Sequence, residues 1–385
     1  MKNKELGDLM RIIGRDDLIS FAGGIPCPEI FPVEELNEIT EEIMVGKGKE
    51  FYQYSSTEGN NPLRDFLVEF LGQRGLAVKR DELIITSGSQ QALDLVAKLF
   101  LNPGDRIAVE QPGYVGAIGA FKSYEADIMG VPMEKEGINV EILEEKLHRL
   151  KKQGEKIKFI YLVPDYSNPS GARLSLEKRK KILELASIYD FHIIEDTPYS
   201  ELNYYDERLD FIKEYDSEGR VILLGSFSKF FVPGFRVAWV YSDSKFTKLL
   251  SRGKQYADLA SATPGQLILN QAGRQGLLEK QIERIAPFYR ERLAAMGRAL
   301  NEHFPAETDW HKPKGGFFFW VKLPEEVDSR ELLDRAIEKK VAFVTGRAFF
   351  VNPDDGSRYM RLSFSDTVPA NIKKGIEILG DLIRI

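Results

Sequence analysis

Between residues 81 and 243, short apolar runs alternate with longer stretches whose apolar positions recur at helical spacing. LIIT (83–86), RIAVEQ (106–111), KIKFIYLVP (156–164), HIIED (192–196), VILLGS (221–226) and RVAWVY (236–241) are the strand-like runs. A strand that is apolar on successive positions must be covered from both sides, so these runs predict a mostly parallel sheet sandwiched between helices. SQQALDLVAKLF and EKRKKILELASIY supply helices between them, and PVEELNEITEEIMVGKG and NNPLRDFLVEFLGQRG supply two more ahead of the first strand. In the second of the four, EKRKK (177–181) reads as the solvated first turns of a helix.

From about Ala286 the pattern changes. A long charged helix leads to PKGGFFFWVKLP, another helix, VAFVTG, YMRLSFS and a closing helix, which reads as a second, smaller α/β lobe. The expected organisation is an N-terminal segment (1–40) joining the small lobe, a large unit (41–285) and a small C-terminal unit (286–385). A chain of 385 residues is long enough for this, and no Gly/Ser-rich or Pro-rich linker divides it.

Charge and cysteine content narrow the partners. A formal charge of −6 opposes nonspecific binding to nucleic acid or to anionic membranes, so small molecules are the expected ligands. No apolar run is long enough to span a bilayer, and MKNKELGDLM does not read as an export leader, so the expected location is cytoplasmic. Cys27 is the only cysteine, which rules out an internal disulfide and reads as a packed residue. His148, His192, His303 and His311 lack the spacing of a zinc site, and no metal is expected.

The strand ends carry unusual chemistry. Parallel sheets place ligands at the carboxyl ends of their strands. Here LIIT runs into Ser87, Gly88, Ser89 and Gln90 at a helix start, where backbone N–H groups and the positive helix end can hold a phosphate. A serine N-cap is the plainer use of the same residues. HIIED ends in Asp196, a carboxylate after apolar neighbours that needs a cationic partner, and Tyr199 follows it. KIKFIYLVP leads to Asn168, and VILLGS leads through Ser226 and Ser228 to Lys229, with a Pro233-Gly234 bend before Arg236. These groups together suit pyridoxal phosphate (PLP): a lysine amine condenses with its aldehyde, an acid holds its ring nitrogen protonated, and arginine with hydroxyls grips its phosphate.

TSGSQQALDL, QPGY, NPSG, EDTPY, GSFSKFFVPGFRVAW and RLSFS, in this order, resemble the class I/II aminotransferases of the fold type I PLP enzymes over nearly the whole chain. SFAGGIPCPEIFP and YQYSSTEGNNPLR are most similar to the branch containing 2-aminoadipate, kynurenine and aromatic amino acid aminotransferases. The resemblance implies roles. Lys229 matches the lysine that carries the cofactor, Asp196 the acid on the pyridine nitrogen, and Tyr199 and Asn168 the partners of the ring oxygen. Tyr114 matches the ring that stacks on the cofactor, and Gly88, Ser89, Gln90, Ser226, Ser228 and Arg236 match the phosphate cup. Tyr54 falls where a tyrosine crosses a dimer interface to the other subunit's phosphate, which implies a homodimer. Arg361 matches the arginine that receives the substrate α-carboxylate, and Gly24 lies where the N-terminal strand closes over it.

The implied reaction moves an α-amino group from an aromatic, 2-aminoadipate or aliphatic type of amino acid to a 2-oxo acid, with 2-oxoglutarate as the expected acceptor, in ping-pong fashion. A PLP-dependent lyase or decarboxylase is the nearest alternative, because the cofactor site alone does not decide which bond breaks. An aminotransferase-like transcriptional regulator is the other; the acidic balance and the roughly twenty residues ahead of SFAGG argue against it. Arg11 and Arg15 lie where an acidic side chain could be read, without a convincing match to such a role.

Overall fold

The computed structural model describes residues 15, 17–205, 207, 208 and 210–384; Arg11 lies outside them. Fourteen strands are described, and eight form one sheet. These eight are β2 (Leu83–Thr86), β3 (Arg106–Gln111), β4 (Asp127–Glu134), β5 (Gly137–Ile138), β6 (Phe159–Leu162), β7 (His192–Asp196), β8 (Val221–Ser226) and β9 (Ala238–Tyr241). Their spatial order is β2-β9-β8-β7-β6-β3-β4-β5. The pairs from β8 through β7, β6 and β3 to β4 are parallel, while β9 runs antiparallel to both β8 and β2. Two reversals cancel, so the carboxyl end of β2 lies on the same sheet edge as those of β3, β6, β7 and β8. The start of β9, just after Arg236, lies there too.

Every predicted apolar run became a strand, and β2, β6, β8 and β9 are buried along their whole length. Burial on both faces removes the polar alternation of an open sheet. The sequence reading missed β4. It pairs with β3 on one side and only briefly with β5 on the other, so Val131 alone is fully buried and DIMGVPME shows no clean pattern. VAFVTG was read as one element and is two. β12 (Val341–Ala342) pairs with β1 (Ile19–Ser20), while β13 (Val344–Thr345) joins β10 (Asp309–Trp310), β11 (Phe318–Lys322) and β14 (Tyr359–Ser363) in an antiparallel sheet.

EKRKK is corrected in one position. Within the helix Leu176–Tyr189, Glu177 and Lys180 are exposed, but Arg179 is fully buried. Its guanidinium donates to Asp165 Oδ1 at 2.5 Å and to the carbonyls of Leu174, Pro164 and Asp210. A buried cation with a carboxylate and three carbonyls is satisfied, so the arginine ties the loop after β6 to the helix instead of facing water.

Candidate active site

The ends of β2, β3, β6, β7 and β8 open into one cavity of about 830 Å³. Lys229 reaches it from the turn after β8, where Ser226 Oγ accepts the Ser228 backbone N–H at 3.1 Å. The lysine Nζ donates to the Gly24 carbonyl at 2.7 Å. Burial, with the like charges of Arg361 and Arg236 adding, lowers its ammonium to about 8, so a basic amine is accessible near neutral pH.

The bend after Lys229 is one 3₁₀ turn over Pro233–Phe235, closed by Arg236 in the left-handed region at φ 51° and ψ 49°. This conformation, unusual for a residue with a Cβ, sends the arginine back to the helix start at Ser89. There Gly88, at φ 82°, is the N-cap of helix Ser89–Phe100, which has no side-chain cap; the serine-cap alternative is not what the chain uses. First-turn amides remain available for an anion. A Cβ on Gly88 would collide with Arg236 Nη2, so the glycine and the guanidinium share one wall. Gly88→Ala is expected to displace Arg236 and weaken PLP uptake by about tenfold or more. Titrating the cofactor-free protein with PLP checks this, and an unchanged affinity would remove Arg236 from the cup.

Asp196 ends β7, buried on the cavity floor. Its Oδ2 accepts the Tyr161 hydroxyl at 2.7 Å, and its Oδ1 is buried with no partner among the described residues. Burial raises this carboxyl to about 7, while the Tyr161 bond and nearby Lys229 act the other way. Tyr114 lines the same cavity, with a phenol that burial and Asp196 push up. Tyr199 stands edge-on to Phe317 and Phe318 and lines the cavity together with Asn168.

Arg361 comes from the other sheet, on β14, and is only 4% exposed. Its Nη1 donates to Asn168 Oδ1 at 2.9 Å and its Nη2 to the Ala22 carbonyl at 2.5 Å, while Phe318 stacks under the guanidinium at 4.4 Å. Among the described residues no carboxylate pairs with it. Beside it, a Cβ on Gly24 would sit 3.1 Å from the Phe318 ring, a tight contact, and at an ordinary 3.8 Å from Arg361 Nη1.

The family model "Aminotransferase class I and II" matches residues 17–379. The chain belongs to the class I and II aminotransferases. It is 44% identical over 385 residues to aromatic-amino-acid aminotransferase 1 of Thermococcus litoralis, covering 100% of this chain and 92% of that one. Over 380 residues it is 38% identical to the 2-aminoadipate transaminase of Thermus thermophilus, covering 98% and 93%. A crystal structure of Pyrococcus horikoshii kynurenine aminotransferase in complex with PMP matches with a TM-score of 0.96 at 44% identity, covering 100% of this chain and 95% of that one. The fold is that of the fold type I PLP enzymes, the activity is transamination, and the cofactor is pyridoxal phosphate.

The residues of this aminotransferase fit that cofactor. The partnerless Asp196 Oδ1 suits a protonated ring nitrogen, and the uncapped helix start beside Arg236 suits a phosphate. Ser89, Gln90, Tyr114, Asn168, Asp196, Tyr199, Ser226, Ser228, Lys229, Arg236, Arg361 and Gly24 all line the one cavity, with Gly88 behind Arg236. Tyr54 is not brought there by its own chain: it is 80% exposed. Arg15 is an exposed partner of Asp17. Sequence reasoning missed Tyr161 and the Ala22 carbonyl. Tyr161 looks like one more apolar strand position, and a backbone acceptor leaves no mark in a residue type. It also missed the face of helix Val115–Ser123, where Gly116, Gly119 and Ala120 widen the cavity.

Proposed function

We propose that the chain transfers the α-amino group of an aromatic, 2-aminoadipate or aliphatic type of amino acid to 2-oxoglutarate by a ping-pong route, with Arg361 as the carboxylate site for both substrates. The observation that carries this is a fully buried guanidinium with no carboxylate partner among the described residues, standing over the same cavity as Lys229. Such a charge calls for an anionic ligand, and a planar fork suits a carboxylate.

The other roles follow from position. Bound PLP supplies an electron sink for the charge left when a bond at the substrate α-carbon breaks. Lys229 would tether it, and its amine, with an ammonium lowered enough to act as a base, would take and return the α-proton. Asp196 holds a proton on the ring nitrogen, with Tyr161 fixing its other oxygen. Tyr199 and Asn168 orient the ring oxygen side, and Tyr114 covers the ring face. Gly88, Ser89, Gln90, Ser226, Ser228 and Arg236 hold the phosphate. Gly24 closes over the substrate carboxylate, its carbonyl already the acceptor of Lys229.

A homodimer completes this reading. Tyr54, with Tyr52 and Tyr256, belongs to the exposed large apolar side chains, and a second copy gives Tyr54 a phosphate to reach. The segment 1–40 joins a small unit (286–385) through β1 and β12, against a large unit (41–285); the pattern change at Ala286 falls inside the continuous helix Leu277–His303. A cytoplasmic location is in keeping with a buried free Cys27, and no helix among the described residues is long and apolar enough to cross a membrane.

A panel of amino donors assayed with 2-oxoglutarate tests the substrate reading. Glutamate is expected to form with aromatic, 2-aminoadipate or aliphatic donors, with parallel double-reciprocal lines as either substrate is varied. Intersecting lines, or continued turnover with an amino acid and no 2-oxo acid, would overturn it.

A further inference from the structure

Two strands from Asp196, on the other face of the sheet, lies a buried carboxyl that the reaction as described does not use. Glu110, near the end of β3, is 1% exposed. Its Oε2 accepts the Val163 backbone N–H at 3.2 Å and the Ser167 hydroxyl at 3.1 Å. Its Oε1 is buried and has no partner among the described residues.

The two oxygens therefore differ. Oε2 takes two donors and Oε1 takes none among the described residues, so only one of the two oxygens of an anion would be stabilised. Asp196 of β7, whose charge acts on it, and Tyr161 of β6, the strand partner of Val109, lie on the opposite face of the sheet; among the described residues no cation pairs with Glu110. An ionised carboxylate here would be a second buried negative charge without a counter-ion. Burial, with Asp196 adding, raises Glu110 to about 8.

The donors it receives lie at the two ends of the segment 163–167, which leads from β6 to Asn168. Asn168 in turn accepts from Arg361 Nη1. We propose that Glu110 is a positioning residue working as the protonated acid: its Oε2 fixes both ends of this loop and so holds Asn168, and through it Arg361, in place for the substrate carboxylate. The link to substrate rests on the reading of Arg361 given above; the link to the loop and the proton does not.

Glutamine separates the possibilities. In Glu110→Gln the amide oxygen accepts the same two bonds and the NH₂ stands where the hydroxyl does. The holoenzyme is expected to keep kcat/KM within about threefold for donor and acceptor, whereas Glu110→Ala should raise KM for both by about tenfold or more with a smaller change in kcat. A second readout needs no cofactor. A carboxyl raised from 4.5 in the unfolded chain to about 8 in the folded one stabilises the fold at low pH, and that contribution is lost as pH rises through this window. Melting temperatures of the PLP-free proteins between about pH 5 and pH 9 should therefore fall less steeply for Glu110→Gln than for the natural chain. Glu195, also raised, is present in both proteins and cancels in the difference; the coupling of Asp196 to Glu110 is lost with the glutamine and flattens the variant's slope in the same sense. Equal slopes, or a glutamine variant as impaired as the alanine one, would show that the anion is the working form and overturn the proposal. An alanine variant with unchanged KM would overturn the positioning role. Failure of the Arg361 reading shows separately, as an Arg361→Ala enzyme with normal KM, and leaves the melting comparison intact.

Discussion

Lys229→Ala still folds and still takes up PLP, but its transamination rate falls by about two to four orders of magnitude, the range expected when a positioned proton carrier is removed. Two functions go at once. The tether is lost, so borohydride treatment, which fixes the pyridoxyl group on Lys229 in the natural protein, labels nothing in the variant. The base is lost as well, and among the described residues no other lysine lines the cavity near the Asp196 floor; Lys122, on the opposite helix, donates to the Val351 carbonyl. Mass spectrometry of the reduced protein and single-turnover absorbance changes with an amino donor check both parts. Labelling of a different lysine, or a variant retaining a tenth of its activity, would be fatal to the assignment.

Arg361→Ala has the second largest effect and a different signature. The cofactor spectrum stays intact, while kcat/KM for amino acid and 2-oxo acid alike falls by about 2–5 kcal/mol, the range for removing one side of a charge-assisted pair in a desolvated pocket. Both half-reactions suffer because both carboxylates use one guanidinium. Arg361→Lys recovers little: an ammonium cannot reproduce the fork that reaches Asn168 and the Ala22 carbonyl while leaving a face for substrate. Steady-state assays with donor and acceptor varied separately decide it. An effect confined to one of the two substrates would mean that the carboxylates bind at separate sites.

The site was legible where a residue type is chemically unusual for its place. Lys229 after VILLGS, Asp196 closing HIIED and Arg236 between a Pro-Gly bend and AWVY each put a charge at one end of a buried strand, and the cavity collects all three. Legibility failed where the chemistry is carried by backbone or by residues that pass for core. The carbonyls of Ala22 and Gly24 hold Arg361 and Lys229, yet any residue has a carbonyl. Tyr161 and Glu110 sit inside strands, and only the folded neighbours show what their polar atoms touch. The fold behaved in the same way: doubly covered strands stood out as apolar runs, whereas β4, half exposed at the sheet edge, did not. Arg179 shows the converse error, a buried ion pair hidden in a run of charges.

The pairing of β1 with β12, with Ala22 and Gly24 just beyond it, also orders the assembly of the protein in time. The main sheet and the residues proposed for the phosphate cup, from Gly88 to Arg236, are translated well before Arg361. Ile19 and Ser20 must wait for Val341 and Ala342 before they find their strand partner, a pairing of very long sequence separation whose closure is slow. A nascent chain thus has every residue proposed for the phosphate cup while it still lacks the arginine proposed to grip the substrate. On that proposal, recognition of the amino acid is assembled late.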